Sequence, residues 1–441
     1  MKREIVGQGA AALLAAVLIT AIVAGAAVYF LMPKVEEEPE EPEPTPSTEV
    51  LVYHYYTAGD EKVAMDAVIA LFEETYPDIT VIENPVASSE AMVSILETLF
   101  YAGKPPDVFI SADLCRTADW VRAGLILPVD NVWAELGLDE ALNPALAGMF
   151  ALTYEDNHYG IPELTGYESG IIYNMHIFED VGIDPADLTT VDALMDACAE
   201  IKEAGYIPFA MGSKWLWTLK FPFVDAVLLK GGVDKYEAFY TGKITAEDSV
   251  IRQALEFFAS TAEYTNSDHA ALTWDEAGDL IVTNEAAMYV HGSWAGGMLA
   301  AKGFEWGTDM GIFGFPGIGD YFVMDGNLWS VPRFCEHPDA GLKFLEVAGS
   351  VEALSLELVP RDSTIAWRTD IPAAGLGPMT TDILEIQADA TYFVPSPQCI
   401  GGTDTAFVNG VQDILQALLI DEDVDAAVAS LVDLHDLVFG E

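Results

Sequence analysis

Positive charge is scarce in this chain: 441 residues carry 19 Lys and Arg against 71 Asp and Glu, a formal net charge of −52. Nucleic acids are gripped mainly through Lys and Arg on phosphates, so this balance argues against a nucleic-acid partner. Acidic substrates meet the same repulsion unless a local basic pocket overrides it. The carboxylates are spread along the chain, as on a surface solvated for a salty or an acidic exterior; both readings stay open. Cysteine is scarce too. Cys115, Cys198, Cys335 and Cys399 are widely separated, with no C-x-x-C and no His at metal-ligand spacing. Outside a cell this allows one or two disulfides, or four free thiols. Catalytic signatures are missing as well. No H-E-x-x-H, P-loop or Ca²⁺-loop pattern occurs, and Gly317-Ile318-Gly319 lacks the third glycine of a dinucleotide turn. In Gly292-Ser293-Trp294-Ala295-Gly296 the serine is misplaced for a nucleophile elbow. No cofactor and no metal are therefore expected.

Long apolar runs are limited to one, residues 5–32, in which Gln8 is the clearly polar interruption. A bilayer core of about 30 Å needs about 20 apolar residues as helix, so this run suffices to span it. Lys2 and Arg3 precede the run and Glu36, Glu37, Glu38, Glu40, Glu41 and Glu43 follow it. The positive-inside bias then leaves the N-terminus in the cytoplasm and the rest of the chain outside. The expectation is a cell-membrane protein with a single N-terminal anchor (1–32) and an extracellular body. Cleavage after Ala26, processing at Gly7-Gln8 and no cleavage at all remain open. Residues 33–49 combine Pro with like charges and form a linker, an acidic stalk extending by ~3.1 Å per residue.

Beyond the stalk the residues alternate between strand and helix patterns. Glu49 to Tyr56 is β-branched and aromatic, and Val63, Ala64, Ala67, Val68, Leu71 and Phe72 recur at helical spacing between Glu61 and Tyr76. Strands follow at 79–82 and 105–110, with a helix from about Ser88 to Ala102 between them. Such an order predicts a parallel α/β sheet with its crevice past the strand C-termini, near Tyr56-Thr57 and Ser111-Ala112-Asp113. Further helices are predicted at 192–204, 221–231, 249–264, 275–284, 338–348 and, as a pair, over 403–439. About 390 residues exceed what one core supports, so two lobes are expected.

The order of short motifs resembles the extracellular solute-binding proteins (family 1) of ABC sugar importers, the glucose/mannose-type binders in particular. It runs through Tyr53-His54-Tyr55-Tyr56-Thr57-Ala58-Gly59-Asp60, Pro105-Pro106-Asp107-Val108-Phe109, Tyr159-Gly160-Ile161-Pro162, Trp274-Asp275-Glu276-Ala277 and Gly292-Ser293-Trp294-Ala295. This resemblance implies a two-lobed periplasmic-binding-protein-like fold of type II, with central sheets flanked by helices and a ligand cleft between lobes. It places lobe 1 at 50–163 and 327–372, and lobe 2 at 164–326 and 373–441. Crossovers fall near Pro162–Gly166, Asp325–Trp329 and Asp370–Ala374. A monomeric receptor for a small neutral sugar, working with ABC permease subunits, is what it implies.

A pyranose presents an apolar C–H face and a rim of hydroxyls, so its site wants aromatic platforms beside polar side chains. Those residue types stand in the expected crevice loops as Tyr56, Thr57, Glu61, Asp113, Tyr167, Glu168, Trp215, Trp217, Lys220, Trp294, Asp325, Asn327 and Arg361. Asp113 and Asp325 equally suit helix or turn caps, and the tryptophans suit core packing. Lys62, Lys220, Arg361 and Arg368, scarce cations in an anionic chain, equally suit pairing with surface carboxylates. The family commonly has Trp where Tyr55 and Tyr56 stand, and a His where Pro397-Gln398-Cys399-Ile400 occurs, which leaves the sugar and its chain length open. Two other readings stay open: a binder of another solute class, and an anchored extracellular glycoside hydrolase using a carboxylate pair.

Overall fold

In the computed structural model residues 48–57, 59–142 and 153–440 are described. The apolar run and the stalk up to residue 47 lie outside them. Thr48 and Glu49, assigned to the linker by their sequence, open the first strand β1 (Thr48–His54). Among the described residues no helix is long and apolar enough to cross a membrane.

Alternation in β1 buries Val50, Val52 and His54. β1 pairs in parallel with β2 (Ile79–Pro85) and β3 (Val108–Ser111), with Val50 opposite Val81 and Val52 opposite Val108. The helix Gly59–Thr75 joins β1 to β2, and Ser89–Tyr101, capped by the Ser88 hydroxyl, joins β2 to β3. All four residues of β3 are buried, as befits a central strand covered on both faces. After the hairpin β4 (Thr153–Tyr154) and β5 (Asn157–His158) comes β6 (Ile161–Pro162), which closes this sheet only through a strand from much later in the chain.

From β6 the chain enters a second sheet, of β7 (Gly170–Asn174), β8 (Ile207–Ala210), β9 (Ala286–Val290) and β10 (Met310–Gly314) in the order β10-β7-β9-β8. It then runs through β11 (Tyr321–Met324) and returns as β12 (Leu328–Ser330), giving the first sheet the order β2-β1-β3-β12-β6. Finally β13 (Tyr392–Pro395) lies parallel to β11. The result is a two-lobed α/β fold. One core gathers Val52, Phe72, Ile110, Trp329 and Phe344, the other Phe178, Leu194, Phe223, Tyr236, Met288 and Leu415.

Two helices depart from their sequence expectation at glycines. The helix expected over 221–231 is Lys220–Tyr240, broken at Gly232, whose φ of 68° and ψ of −173° are open to glycine and costly to other residues. An unforeseen helix, Trp294–Ala301, contains Gly296 and Gly297, poor helix formers in isolation. Tertiary packing overrides propensity here: Gly297 lies close against the Asp60 carboxylate and the Ser363 hydroxyl, where a Cβ would force those side chains to shift.

Candidate functional site

Segments crossing between the sheets meet at one place. The segment Glu163–Ser169 leads from β6 to β7, and bridges tie Thr165 to Ile365 and Tyr167 to Met324. On the side of the second sheet lies an aromatic cluster. Trp294, at the first turn of its helix after β9, and Trp217, on the 3₁₀ turn Leu216–Leu219, have ring centroids 6.4 Å apart and planes tilted by 38°. Both are half-buried. Phe221 sits 5.8 Å from each, and His291 lies 5.3 Å from Trp217 and 5.6 Å from Trp294. Trp274 stacks on His291 at 5.3 Å and lies 6.3 Å from Trp217. Burial pushes the His291 imidazole down to about 3, so it is neutral and works as an aromatic wedge. A Cβ on Gly166 or Gly292 would overlap the Trp294 indole, so those glycines let the ring lie against bare backbone.

On the side of the first sheet Asn327 organises a polar network. Its Oδ1 accepts from the Tyr55 hydroxyl at 2.7 Å, while its Nδ2 donates to the Tyr56 hydroxyl at 3.0 Å and to Glu163 Oε2 at 3.1 Å. Arg361 pairs with the other Glu163 oxygen, sits 3.7 Å from Glu357, and lies over the Tyr56 ring with its guanidinium carbon 4.8 Å from the centroid. Between the two sides stands Asp325, whose Oδ1 accepts from the Gly166 amide at 3.3 Å. Burial raises Asp325 to about 7, helped by Glu168 and opposed by Lys220. Burial likewise raises Glu61 to about 7, against the pull of Arg361. Carboxyls poised near neutrality are able to donate as well as accept, which suits hydroxyl partners.

Several expected residues come together here: Tyr56, Glu61, Trp217, Trp294, Asp325 and Asn327. Lys220, Glu168 and Arg361 are present too, with their charges turned into the fold. Lys220 Nζ is 2.7 Å from Glu168 Oε1 and donates to Ser396 Oγ at 3.0 Å. Others are placed differently. Tyr167 is 2% exposed and stacked on Phe322 at 4.5 Å, a core residue. Asp113 caps Leu114–Arg122 by accepting from the Arg116 amide. Trp215 is 38% exposed and Thr57 is exposed as well. Arg368 pairs with Asp370, and Lys62 with Asp66 and Glu83. Sequence reasoning passed over Tyr55, Glu163, Phe221, Trp274, His291 and Ser396. Tyr55 carries a signal as the neighbour of an expected platform, Glu163 as part of the expected first crossover, and Trp274 as the head of a quoted motif.

Among the described residues no three His, Cys, Asp or Glu side chains are placed to hold a metal ion. All four cysteines are free thiols.

Two lobes with a polar and aromatic site where their connections meet have the architecture of a solute-binding protein. The sequence pattern of the bacterial extracellular solute-binding proteins matches residues 58–354. An uncharacterized ABC transporter extracellular-binding protein of Pyrococcus horikoshii is 34% identical over 388 residues, 87% of this chain and 86% of that protein. A xylose/arabinose-binding protein of Haloferax volcanii is 23% identical over 400 residues, covering 86% and 84%. Among solved structures, a chitin oligosaccharide binding protein superposes with a TM-score of 0.79 at 23% identity, over 90% of this chain and 100% of that one. This chain belongs to the bacterial extracellular solute-binding protein family. The structural likeness, at that identity, speaks for the fold.

Proposed function

We propose that this protein is the membrane-anchored, extracellular substrate-binding component of an ABC importer. It closes its lobes on a neutral carbohydrate, a glucose- or mannose-like monosaccharide or a short oligosaccharide, and delivers it to the permease as a monomer. The observation that carries this reading is the pairing of the Trp217–Trp294 platform with the Asp325 carboxyl, raised toward neutrality, beside the hydroxyls that Asn327 positions. Aromatic faces take the C–H side of a sugar ring, and the polar groups take its rim. Relatives described as sugar binders, among them the xylose/arabinose-binding protein and a probable sugar-binding periplasmic protein of Rhizobium meliloti, support the same class. Ligand contacts are assigned to Tyr55, Glu61, Trp217, Trp294, Asp325 and Asn327. Residues 1–32 anchor the body, 33–47 tether it, and the lobes divide at the crossovers near Glu163, Asn327 and Asp370.

Thermal melting against a panel of neutral mono- and disaccharides tests the reading. A ligand at a hundredfold excess over Kd stabilises by about 2.7 kcal/mol, a readable rise in Tm. The sugar should be recovered unchanged. No shift with any sugar, together with a shift from an amine or peptide, assigns another solute class.

A further inference from the structure

Glu163, Glu357 and Arg361 are 1%, 3% and 4% exposed, so two carboxyl groups are buried around one guanidinium. Arg361 pairs with Glu163 Oε1 and lies 3.7 Å from Glu357 Oε2. Among the described residues no other cation pairs with either carboxyl. One positive charge therefore faces two groups that would both be negative in water at neutral pH.

The two carboxyls are not equally provided for. Glu163 is complete as a carboxylate, with Oε1 on Arg361 and Oε2 accepting from the Asn327 amide at 3.1 Å. Glu357 is not: its Oε1 is buried and no donor reaches it. The Glu163 carboxylate lies within hydrogen-bonding reach of the Glu357 side chain. A buried acceptor without a donor is costly, and a buried charge without a partner more so. A proton on Glu357 removes both costs, because the charge goes and the group becomes a donor to Glu163. Burial, reinforced by the charge of Glu163 and opposed by Arg361, holds the Glu357 carboxyl well above the ordinary range.

Neighbouring elements bring no other charge onto Glu357. The helix Gly59–Thr75 packs against its helix, Val351–Leu358, and turns Asp60 and Glu61 toward Arg361. The end of β1 places the Tyr56 ring under the same guanidinium. From Pro338–Ala348, Lys343 and Glu346 go to Tyr76 instead.

We propose that Glu357 is a carboxylic acid that donates its proton to the Glu163 carboxylate, so that one proton and one guanidinium together hold two buried carboxyl groups beside the solute site. Glu357 is then a positioning residue. It acts through Glu163 on Asn327, which orders the Tyr55 and Tyr56 hydroxyls. Loss of the proton sets two negative charges against one cation and loosens that network, so the site weakens as its surroundings turn alkaline. The link to solute binding rests on the reading that Tyr55 and Asn327 meet a ligand; the proton itself does not.

Urea unfolding of the ligand-free protein tests the proton without any sugar, so its failure and that of the carbohydrate reading are separate results. A carboxyl raised above its ordinary 4.5 in the fold contributes stability that is full below that value and is lost as pH rises toward the raised one. Glu357→Gln keeps the shape and a donor for Glu163 but has no proton to lose. Between about pH 7 and 9, beyond the range of Glu61 and Asp325, the folding constant of the wild type should fall about tenfold more per pH unit than that of the variant. Parallel curves, with the variant shifted by one factor at every pH, overturn the proposal. If the variant fails to fold, infrared spectra of Asp225→Asn serve, since that change removes a second fully buried acid. At about pH 9 the carbonyl stretch of a protonated carboxyl should persist, and its absence overturns the proposal equally.

Discussion

The indole of Trp294 lies against the bare backbone of Gly166, with no room between them for a methyl group. The platform proposed for a solute and the crossover between lobes are thus one packed unit. Gly166→Ala is expected to push the ring aside, an overpacking cost of about 1–3 kcal/mol. A lower Tm with an altered tryptophan emission is the outcome to look for. An unchanged emission spectrum contradicts the contact.

Asn327 serves three partners at once, Tyr55, Tyr56 and Glu163. Asn327→Ala orphans a buried carboxylate oxygen and should destabilise by about 1–3 kcal/mol, whereas Tyr55→Phe removes one bond and should cost about 1 kcal/mol. Urea unfolding of the two variants should rank them in that order.

Glu61 and Asp325 are both raised to about 7, from ordinary values of 4.5 and 3.8. Within that window the folded state holds more protons than the unfolded chain, so stability falls as pH rises from about 4.5 to 7. Glu61→Gln should flatten this fall. Urea midpoints measured across the range, wild type against variant, give the comparison; parallel curves would show that Glu61 is ordinary in the fold.

Much of this architecture can be read from residue order. Alternating Val50 and Val52, the helical recurrence of Ala64, Val68 and Phe72, and the apolar run at Val108–Ile110 specify the parallel half of the first sheet, because burial on alternate or on all faces leaves its period in the sequence. Trp217 and Trp294 stood out as aromatics in loops. What was illegible is held by distance in the chain: Glu163 is defined by Arg361, and His291 by Trp217 and Trp274. The helix Trp294–Ala301 was hidden by its glycines, whose purpose is close approach rather than flexibility. Asp113 and Tyr167 have the chemistry of ligand contacts, yet a cap and a stacked core absorb them.

Burial raises the thiol of Cys115 to about 12 and that of Cys198 upward, and Cys399 is raised too. These thiols should react very slowly with a thiol reagent in the folded protein. Four should titrate after unfolding in denaturant without reductant. A count below four identifies a disulfide.

Calorimetric titration of the ligand-free protein with neutral sugars, alongside Trp294→Ala, tests the central claim most directly. The account predicts that at least one sugar binds the wild type, is recovered chemically intact, and loses measurable affinity for the variant. Binding of that sugar by Trp294→Ala at wild-type strength would contradict it.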